Sequence, residues 1–294
     1  MRRIFLFIVT NIAVLVVISV IFNVLGLEPT LNAQGINYES LLIFSAVIGF
    51  SGAFISLLLS KFTAKWMTGA KVVVNPTDPY LSRMLSTVAK LSERAGISTP
   101  EVAVYKGQPN AFATGAFRNS ALIGVSTGLM EAMNEQQVEA VLAHEVAHIA
   151  NGDMVTMTLL QGVLNTFVIF LSRIAAYVVT TALNKGEGNS GNSFVYFGVA
   201  IVFQIVFGVL ASIIISWYSR RREFYADAGA ARLMGTEKPM IGALQALARG
   251  PAAPLPQAMQ AFGIKGGFGR LFSTHPPVEQ RIAALEQRTF QAVL

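Results

Sequence analysis

Four long apolar runs dominate the pattern of hydrophobic and polar positions and predict membrane-crossing helices. They cover Ile4 to about Leu25, Leu41–Leu59, Met154–Leu183 and Phe194–Trp217. The first run has no charged residue and, at about 22 residues, is long enough to cross a bilayer. A cleaved signal peptide is the alternative, but the run exceeds a usual signal core and no small-x-small cleavage site follows it.

Small and charged residues inside the second and third runs refine this prediction. Ser45, Gly49 and Ala53 recur every four residues, and such a face suits close packing against another membrane helix. The third run contains Arg173, whose charge is costly in lipid. Arg173 therefore reaches the interface, faces the protein interior, or marks a helix pair that lies shallow in the membrane.

Between the second and third runs, the pattern changes to that of a soluble α+β domain. Val72–Val74 predicts a short strand, and the apolar spacing from Met84 to Leu91 predicts an amphipathic helix that ends near Gly96. Glu101–Tyr105 and Ala121–Val125 predict two more strands, separated by a polar connection. A second helix follows these strands.

Beyond the fourth run the chain again has a soluble pattern. Helices are predicted through Glu223–Met234, over Pro239–Arg249 and from Val278 to the end. The segment Gly250–Gly269 is rich in Gly, Pro and Ala and predicts a mobile loop. Its Lys-Gly-Gly-Phe-Gly stretch (265–269) lacks the spacing of a phosphate-binding loop, so we assign it no nucleotide role.

Composition supports a membrane protein and restricts the kinds of site it can carry. Of the 294 residues 53% are hydrophobic and only 13% are charged, whereas soluble domains carry about 25% charged residues. The chain has no cysteine, which excludes disulfides and zinc–thiolate sites. The net charge of +6 could indicate nucleic acid, but no nucleic-acid-binding motif accompanies it. Basic loops that flank membrane helices explain the charge more simply.

The distribution of basic residues predicts an orientation. Arg2 and Arg3 precede the first run, Lys61, Lys65 and Lys71 follow the second, and the loop between the runs has no Lys or Arg. By the positive-inside rule, the amino terminus and the chain after Lys61 face the cytoplasm.

An H-E-x-x-H motif, His144-Glu145-x-x-His148, lies in the helix that precedes the third run. Asn134 and Gln137 predict a capping box at the start of this helix, and residues four apart share one helical face. Two imidazoles on one face can bind a single metal ion, with Glu145 placed to take a proton from an attacking water. A chance match is the alternative, and the helical context disfavours it.

Two histidines leave a catalytic zinc one protein ligand short, so a third ligand is expected. A continued helix would turn Asp153 about 140° away from His148, which makes it a poor ligand. Glu223 is the better candidate, because Asp227 lies four residues later on the same face and one carboxylate could bind metal while the other holds a histidine. His275 is either a surface residue in a turn or a donor to the oxyanion of the tetrahedral intermediate.

Several separated motifs resemble one family over essentially the whole chain. They are H-E-V-A-H, R-R-R-E-F-Y-A-D (220–227), S-T-H-P-P-V-E-Q-R-I (273–282) and N-A-F-A-T-G (110–115). Together they are similar to HtpX-type membrane zinc endopeptidases, which are related to the CAAX prenyl proteases. The resemblance implies a mainly α membrane protein with four hydrophobic helices and a cytoplasmic α+β zincin-like (gluzincin) metallopeptidase domain.

The resemblance also implies roles for particular residues. Three side chains would bind one Zn²⁺ per chain, namely His144, His148 and Glu223. Glu145 would be the general base, Asp227 would support the site, and His275 would assist at the transition state. Six residues would form an edge strand that pairs with the substrate backbone, namely Asn110, Ala111, Phe112, Ala113, Thr114 and Gly115.

The implied biology is quality control of misfolded or damaged membrane proteins in the bacterial inner membrane. The protein would be multi-pass with cytoplasmic termini and active site, and it would bind neither nucleic acid nor nucleotide. We therefore divide the chain into an N-terminal transmembrane hairpin (1–60), a first catalytic part (61–153), a hydrophobic helix pair expected to be transmembrane (154–217) and a second catalytic part (218–294). The alternatives are a peptidase that trims prenylated or other defined peptides, and a channel, transporter or scaffold in which the motif is incidental.

Overall fold

A computed structural model describes residues 37–183, 193–249 and 273–287. The expected first membrane helix (Ile4 to about Leu25) and the expected mobile loop Gly250–Gly269 lie outside the described residues, as does the end of the last helix.

The described residues are mainly helical, with one small sheet. The eight helices within these ranges are α1 (Tyr38–Thr68), α2 (Pro79–Arg94), α3 (Thr127–Ala132), α4 (Glu135–Asn151), α5 (Asp153–Leu183), α6 (Ser193–Met234), α7 (Lys238–Arg249) and α8 (Val278–Glu286). The strands are β1 (Lys71–Val72), β2 (Glu101–Tyr105), β3 (Ala111–Phe117) and β4 (Ser120–Ser126).

Three of the described helices are long and apolar enough to cross a membrane, as judged by length and composition. They are Tyr38–Thr68, Asp153–Leu183 and Phe194–Met234, which correspond to the second, third and fourth apolar runs.

The sheet has the strand order β1-β2-β4-β3. β2 and β4 are parallel, whereas β1 and β3 pair antiparallel with their neighbours. The predicted polar connection between the two central strands was wrong, because it contains β3. The sequence of β3 has small residues and no alternation of bulky apolar side chains, since the strand lies half-buried at the sheet edge. Its edge position agrees with the strand that the family resemblance implied.

One face of the sheet packs against α2 and α4 to form the core of the soluble region. The predicted stripe of α2 is confirmed, since Met84, Val88 and Leu91 are buried. The central strands contribute Val102, Ile123 and Val125, and α4 contributes Leu142, Val146 and Ile149. The metal-motif helix is therefore held on its apolar side by the sheet.

The fourth apolar run and the predicted helix through Glu223–Met234 form one continuous helix, α6, rather than two elements. No Gly or Pro lies between Trp217 and Glu223, so no residue there disfavours helical backbone. The continuity places Glu223 on a regular helix, which fixes its direction relative to Asp227 one turn later.

The described residues group into two compact units. One contains the described part of 1–55 together with 158–212, and the other contains 56–157 and the described part of 213–294. The four-segment division made from the sequence remains a prediction.

In the first unit, the small-residue face of α1 packs closely, as predicted. Ser45 and Ala53 are buried, and Gly49 lies against Gly162 and Thr166 of α5, where a Cβ atom would come within 2.7 Å of the Thr166 backbone nitrogen. Close backbone approach through small residues is the usual way in which membrane helices pack.

The guanidinium of Arg173 lies over two aromatic rings at the beginning of α6. The distances from Cζ to the ring centroids are 6.0 Å for Tyr196 and 5.8 Å for Phe197. Both rings lie within the first turn or so of α6, and an aromatic face stabilises a cation. Of the alternatives weighed for Arg173, this position favours a charge held by protein side chains near a helix end.

In the second unit, α4 and α6 approach closely at Gly229, which gives a first prediction. A Cβ at Gly229 would lie 2.8 Å from Cβ of Ala147. Overpacking costs about 1–3 kcal/mol, more than the roughly 1 kcal/mol that alanine gains over glycine in a helix. We expect Gly229→Ala to lower the thermal unfolding midpoint of the detergent-solubilised protein.

The matched control for that prediction is Gly242→Ala in α7. A Cβ there meets only the Gln137 side chain at 3.6 Å, an ordinary contact. This variant should keep or raise the midpoint. A Gly229→Ala midpoint equal to or above that of the wild type would contradict the close approach of α4 and α6.

Candidate active site

The metal-motif helix α4 begins as predicted. Asn134 accepts from the Gln137 amide at 2.9 Å, and the Gln137 side chain accepts from the Asn134 amide at 3.1 Å, which completes the capping box. Gly152 ends the helix in the left-handed conformation, with φ of 70°. His144 and Glu145 of this helix are both buried.

The structure brings the side chains of His144, His148 and Glu223 together. The two Nε2 atoms are 3.1 Å apart. Carboxylate oxygens of Glu223 lie 3.5 Å from Nε2 of His144 and 3.4 Å from Nε2 of His148. Such a group of one potential ligand atom per residue could hold a metal ion.

Asp227 and Arg281 lie behind this group. Asp227 Oδ1 is 2.9 Å from Nδ1 of His144. Arg281 donates to both oxygens of Asp227, at 2.7 and 2.6 Å, and its Nη1 lies 3.1 Å from Glu223. One buried guanidinium therefore contacts both carboxylates and fixes their positions relative to each other.

Asp153 contacts the other motif histidine. Its Oδ2 lies 2.5 Å from Nδ1 of His148 and 2.5 Å from Nη2 of Arg222. Arg222 also donates to the backbone oxygen of Asp153. The expectation that Asp153 points away from His148 was wrong, because Gly152 ends α4 and the chain turns before Asp153.

His275 lies at the mouth of the site. Its Nδ1 is 2.9 Å from Glu223, and its side chain is 65% exposed. The turn that carries it is held by two hydrogen bonds: Ser273 donates to the His275 oxygen at 2.7 Å, and Arg220 donates to the Ser273 oxygen at 2.6 Å.

A cavity of about 480 Å³ opens onto these side chains. Glu145 lines it together with both motif histidines. Four of the six residues expected to bind substrate also line it, namely Asn110, Ala111, Phe112 and Ala113. Thr114 and Gly115 lie farther along, at the end of the regular pairing of β3 with β4.

The charges of the site favour a divalent cation. The site contains two guanidinium groups, of Arg222 and Arg281. It also contains four carboxylates, of Glu145, Asp153, Glu223 and Asp227. With neutral imidazoles, this leaves two negative charges in excess. Burial disfavours charge on His144, but its contacts with Asp227 and Glu223 outweigh burial and raise its pKa to about 10. A metal bound at Nε2 would take the place of that proton, because metals bind neutral imidazole.

Comparison with known proteins supports the same interpretation. The model of Peptidase family M48 matches residues 76–289. The chain is 56% identical to a "Protease HtpX homolog" of Herminiimonas arsenicoxydans over 97% of this chain and 99% of that protein. A "Protease HtpX homolog" of Bordetella pertussis is also 56% identical, over 97% of this chain and 98% of that protein.

The chain belongs to peptidase family M48. Among M48 peptidases it is an HtpX-type protein, and it is a metalloprotease with helices suited to a membrane. The crystal structure of S. mikatae Ste24p resembles it with a TM-score of 0.62 and 17% identity, over 92% of this chain and 66% of that chain. That likeness concerns the fold.

The sequence analysis assigned no role in this M48 site to three of its residues. Arg281 occupies a core position of α8, together with Leu285 four residues later, and an arginine on an apolar stripe is a signal that could have been used. Arg222 is one of three consecutive arginines that follow the fourth apolar run, a place typical of exposed basic residues, yet it is buried. Asp153 gave no sequence signal, because its approach to His148 depends on the direction of the chain after Gly152.

Proposed function

We propose that this protein is a membrane-integrated, zinc-dependent endopeptidase. It hydrolyses peptide bonds of misfolded or damaged membrane proteins on the cytoplasmic side of the bacterial inner membrane, as part of quality control under stress. The observation that carries the proposal is the grouping of His144, His148 and Glu223 beside Glu145, in a cavity that an edge strand borders.

The spacing of the candidate ligand atoms suits one zinc ion per chain. Tetrahedral zinc with bonds of about 2.0–2.2 Å holds its ligand atoms about 3.3–3.6 Å apart. The two Nε2 atoms are 3.1 Å apart, Oε2 of Glu223 is 3.5 Å from Nε2 of His144, and Oε1 is 3.4 Å from Nε2 of His148, all close to that range. Two imidazole nitrogens and one carboxylate are also a ligand set of catalytic zinc sites that keep a position open for water.

Different side chains around this site can carry out the separate steps of peptide hydrolysis. When bound, zinc supplies a Lewis acid that polarises the substrate carbonyl and lowers the pKa of water. Glu145 takes the proton from the attacking water and passes it to the leaving amine. His275, at the exposed mouth, donates a hydrogen bond to the oxyanion of the tetrahedral intermediate.

The position of β3 supports recognition of unfolded chains. Within the described sheet, β3 pairs with β4 on one side and has no strand on the other. An extended substrate can add to this edge through main-chain hydrogen bonds, which requires a segment free of its own secondary structure. Ala111, Phe112 and Ala113 line the cavity, so a paired substrate backbone would lie next to Glu145.

The experiment that tests the proposal measures zinc and cleavage together. Protein purified in detergent without chelator should hold one zinc per chain and cut an unfolded test protein at several sites, but not its folded form. Removing zinc with a chelator should stop cleavage, and added zinc should restore it. Cleavage of a single defined peptide alone would favour the narrower peptidase, and folded protein with neither zinc nor cleavage would favour the channel, transporter or scaffold.

Sidedness is tested with sealed membrane vesicles of known orientation. Unfolded substrate added outside should be cut by inside-out vesicles and spared by right-side-out vesicles, with detergent lysis of the latter as the positive control. The reverse pattern would overturn the cytoplasmic assignment. That assignment rests on the basic residues beside the first two apolar runs, namely Arg2, Arg3, Lys61, Lys65 and Lys71.

A further inference from the structure

Each motif histidine has a carboxylate at the ring nitrogen that faces away from the candidate metal position. Asp227 lies 2.9 Å from Nδ1 of His144, and Asp153 lies 2.5 Å from Nδ1 of His148. Each carboxylate is in turn held by a buried arginine, Arg281 for Asp227 and Arg222 for Asp153. The two halves of the site thus repeat one arrangement.

The Asp153–Arg222 pair is also largely buried. The exposed fractions of the two side chains are 13% and 8%. Arg222 contacts Asp153 through both the carboxylate and the backbone oxygen, so it fixes the backbone at the start of α5 as well as the side chain. Its own position is fixed by α6, where the next residue is Glu223.

We propose that Asp153 is a positioning residue for His148, and that Arg222 acts through Asp153. The proposal rests on the metal site proposed above. A carboxylate that accepts from Nδ1–H fixes the tautomer with the Nε2 lone pair free, holds the ring plane and raises the basicity of the ligand. Arg222 thereby joins the orientation of His148 to the same turn of α6 that presents Glu223.

A purely structural role is the competing explanation. Asp153 is the first residue of α5, and a carboxylate in the first turn stabilises a helix regardless of any metal. The two explanations differ in their predictions: a structural carboxylate changes stability, whereas a positioning carboxylate changes the affinity and geometry of the metal.

The deciding variant is Asp153→Asn, tested on the full chain in detergent. Loss of an outer carboxylate on a metal-ligating histidine costs about 10–100-fold in metal affinity. We expect zinc binding, measured by competition with a chromophoric chelator, to weaken by that factor. The d–d absorption bands of the Co²⁺-substituted protein should shift, because they report ligand geometry.

The matched control is Asp78→Asn. The Asp78 side chain accepts from the Tyr80 amide at 2.8 Å and caps α2, so it is a helix-starting carboxylate away from the metal. Its asparagine variant should bind zinc with wild-type affinity and give wild-type Co²⁺ bands. If Asp153→Asn behaves like this control, with affinity within about twofold of wild type, the proposal is wrong.

Arg222 is tested by a double-mutant cycle. Arg222→Gln should weaken zinc binding less than Asp153→Asn, and the double variant should be no weaker than Asp153→Asn alone, because both changes break one chain of contacts. If the losses of zinc affinity in the two single variants add up in the double variant, Arg222 does not act through Asp153. Arg222→Lys keeps the charge and provides a folded reference if the glutamine variant is unstable.

The results distinguish failure of the positioning role from failure of the proposed function. Wild-type protein that binds zinc and cuts substrate, combined with an unaffected Asp153→Asn variant, overturns only the positioning role. Wild-type protein that is folded but binds no zinc overturns both.

Discussion

Glu145→Gln should leave one zinc bound and reduce cleavage of an unfolded protein by about 10²–10⁴-fold, the usual contribution of a general base. Glutamine keeps the size and polarity of the side chain but cannot accept the proton of the attacking water. Glu145 is not among the three side chains that group as candidate ligands, so zinc should stay bound. Time courses of digestion and zinc content per chain, measured on one preparation, check both parts.

The control for this variant is Glu139→Gln, which makes the same chemical change on the same helix. Glu139 lines a different groove, between α2 and α4, and its loss should change turnover by less than about twofold, as expected of a residue remote from the chemistry. Undiminished cleavage by Glu145→Gln would mean that another group accepts the proton, and the mechanism would have to be abandoned.

Glu223→Gln should lose zinc rather than only slow turnover. The substitution removes the one anionic ligand of the group and leaves Arg281, whose Nη1 is 3.1 Å from that carboxylate, facing a neutral amide. Outer carboxylates alone are worth about 10–100-fold in metal affinity, so a direct ligand should be worth more than about 100-fold. Chelator competition on the purified variant measures the loss.

Glu286→Gln serves as the comparison for Glu223→Gln. Glu286 is exposed at the end of α8, the helix that also carries Arg281, so the variant tests for effects of charge on the same part of the protein. It should bind zinc like the wild type. If Glu223→Gln retained wild-type zinc affinity, the third ligand would have to be sought elsewhere.

The features that depend on local sequence were predictable, whereas those that depend on distant contacts were not. The capping box at Asn134 and the stripe of α2 use interactions within one or two turns, and both are confirmed. β3 was missed from the residues alone, because a half-buried edge strand of small residues lacks a clear period. The family resemblance located it by comparison with similar sequences.

The same difference between local and distant contacts applies to the expected third ligand and the residues around it. Glu223 and Asp227 could be selected from their spacing, since four residues bring two side chains to one helical face. Arg281 is 58 residues from Glu223 along the chain, and no local pattern relates the two. For Asp153, the error came from extending the helix past Gly152, which ends it in the left-handed conformation.

Gly152 also changes the rotation of α5 about its axis relative to that of α4. In an unbroken helix every side chain is tied to the preceding ones by about 100° per residue, so the motif would dictate which face α5 turns toward its neighbours. The left-handed residue between α4 and α5 offsets that rotation, and the offset brings Asp153 to His148 at the start of α5. A residue with a side chain at position 152 would strain this backbone conformation, and so would disturb both the partner of His148 and the direction in which α5 begins.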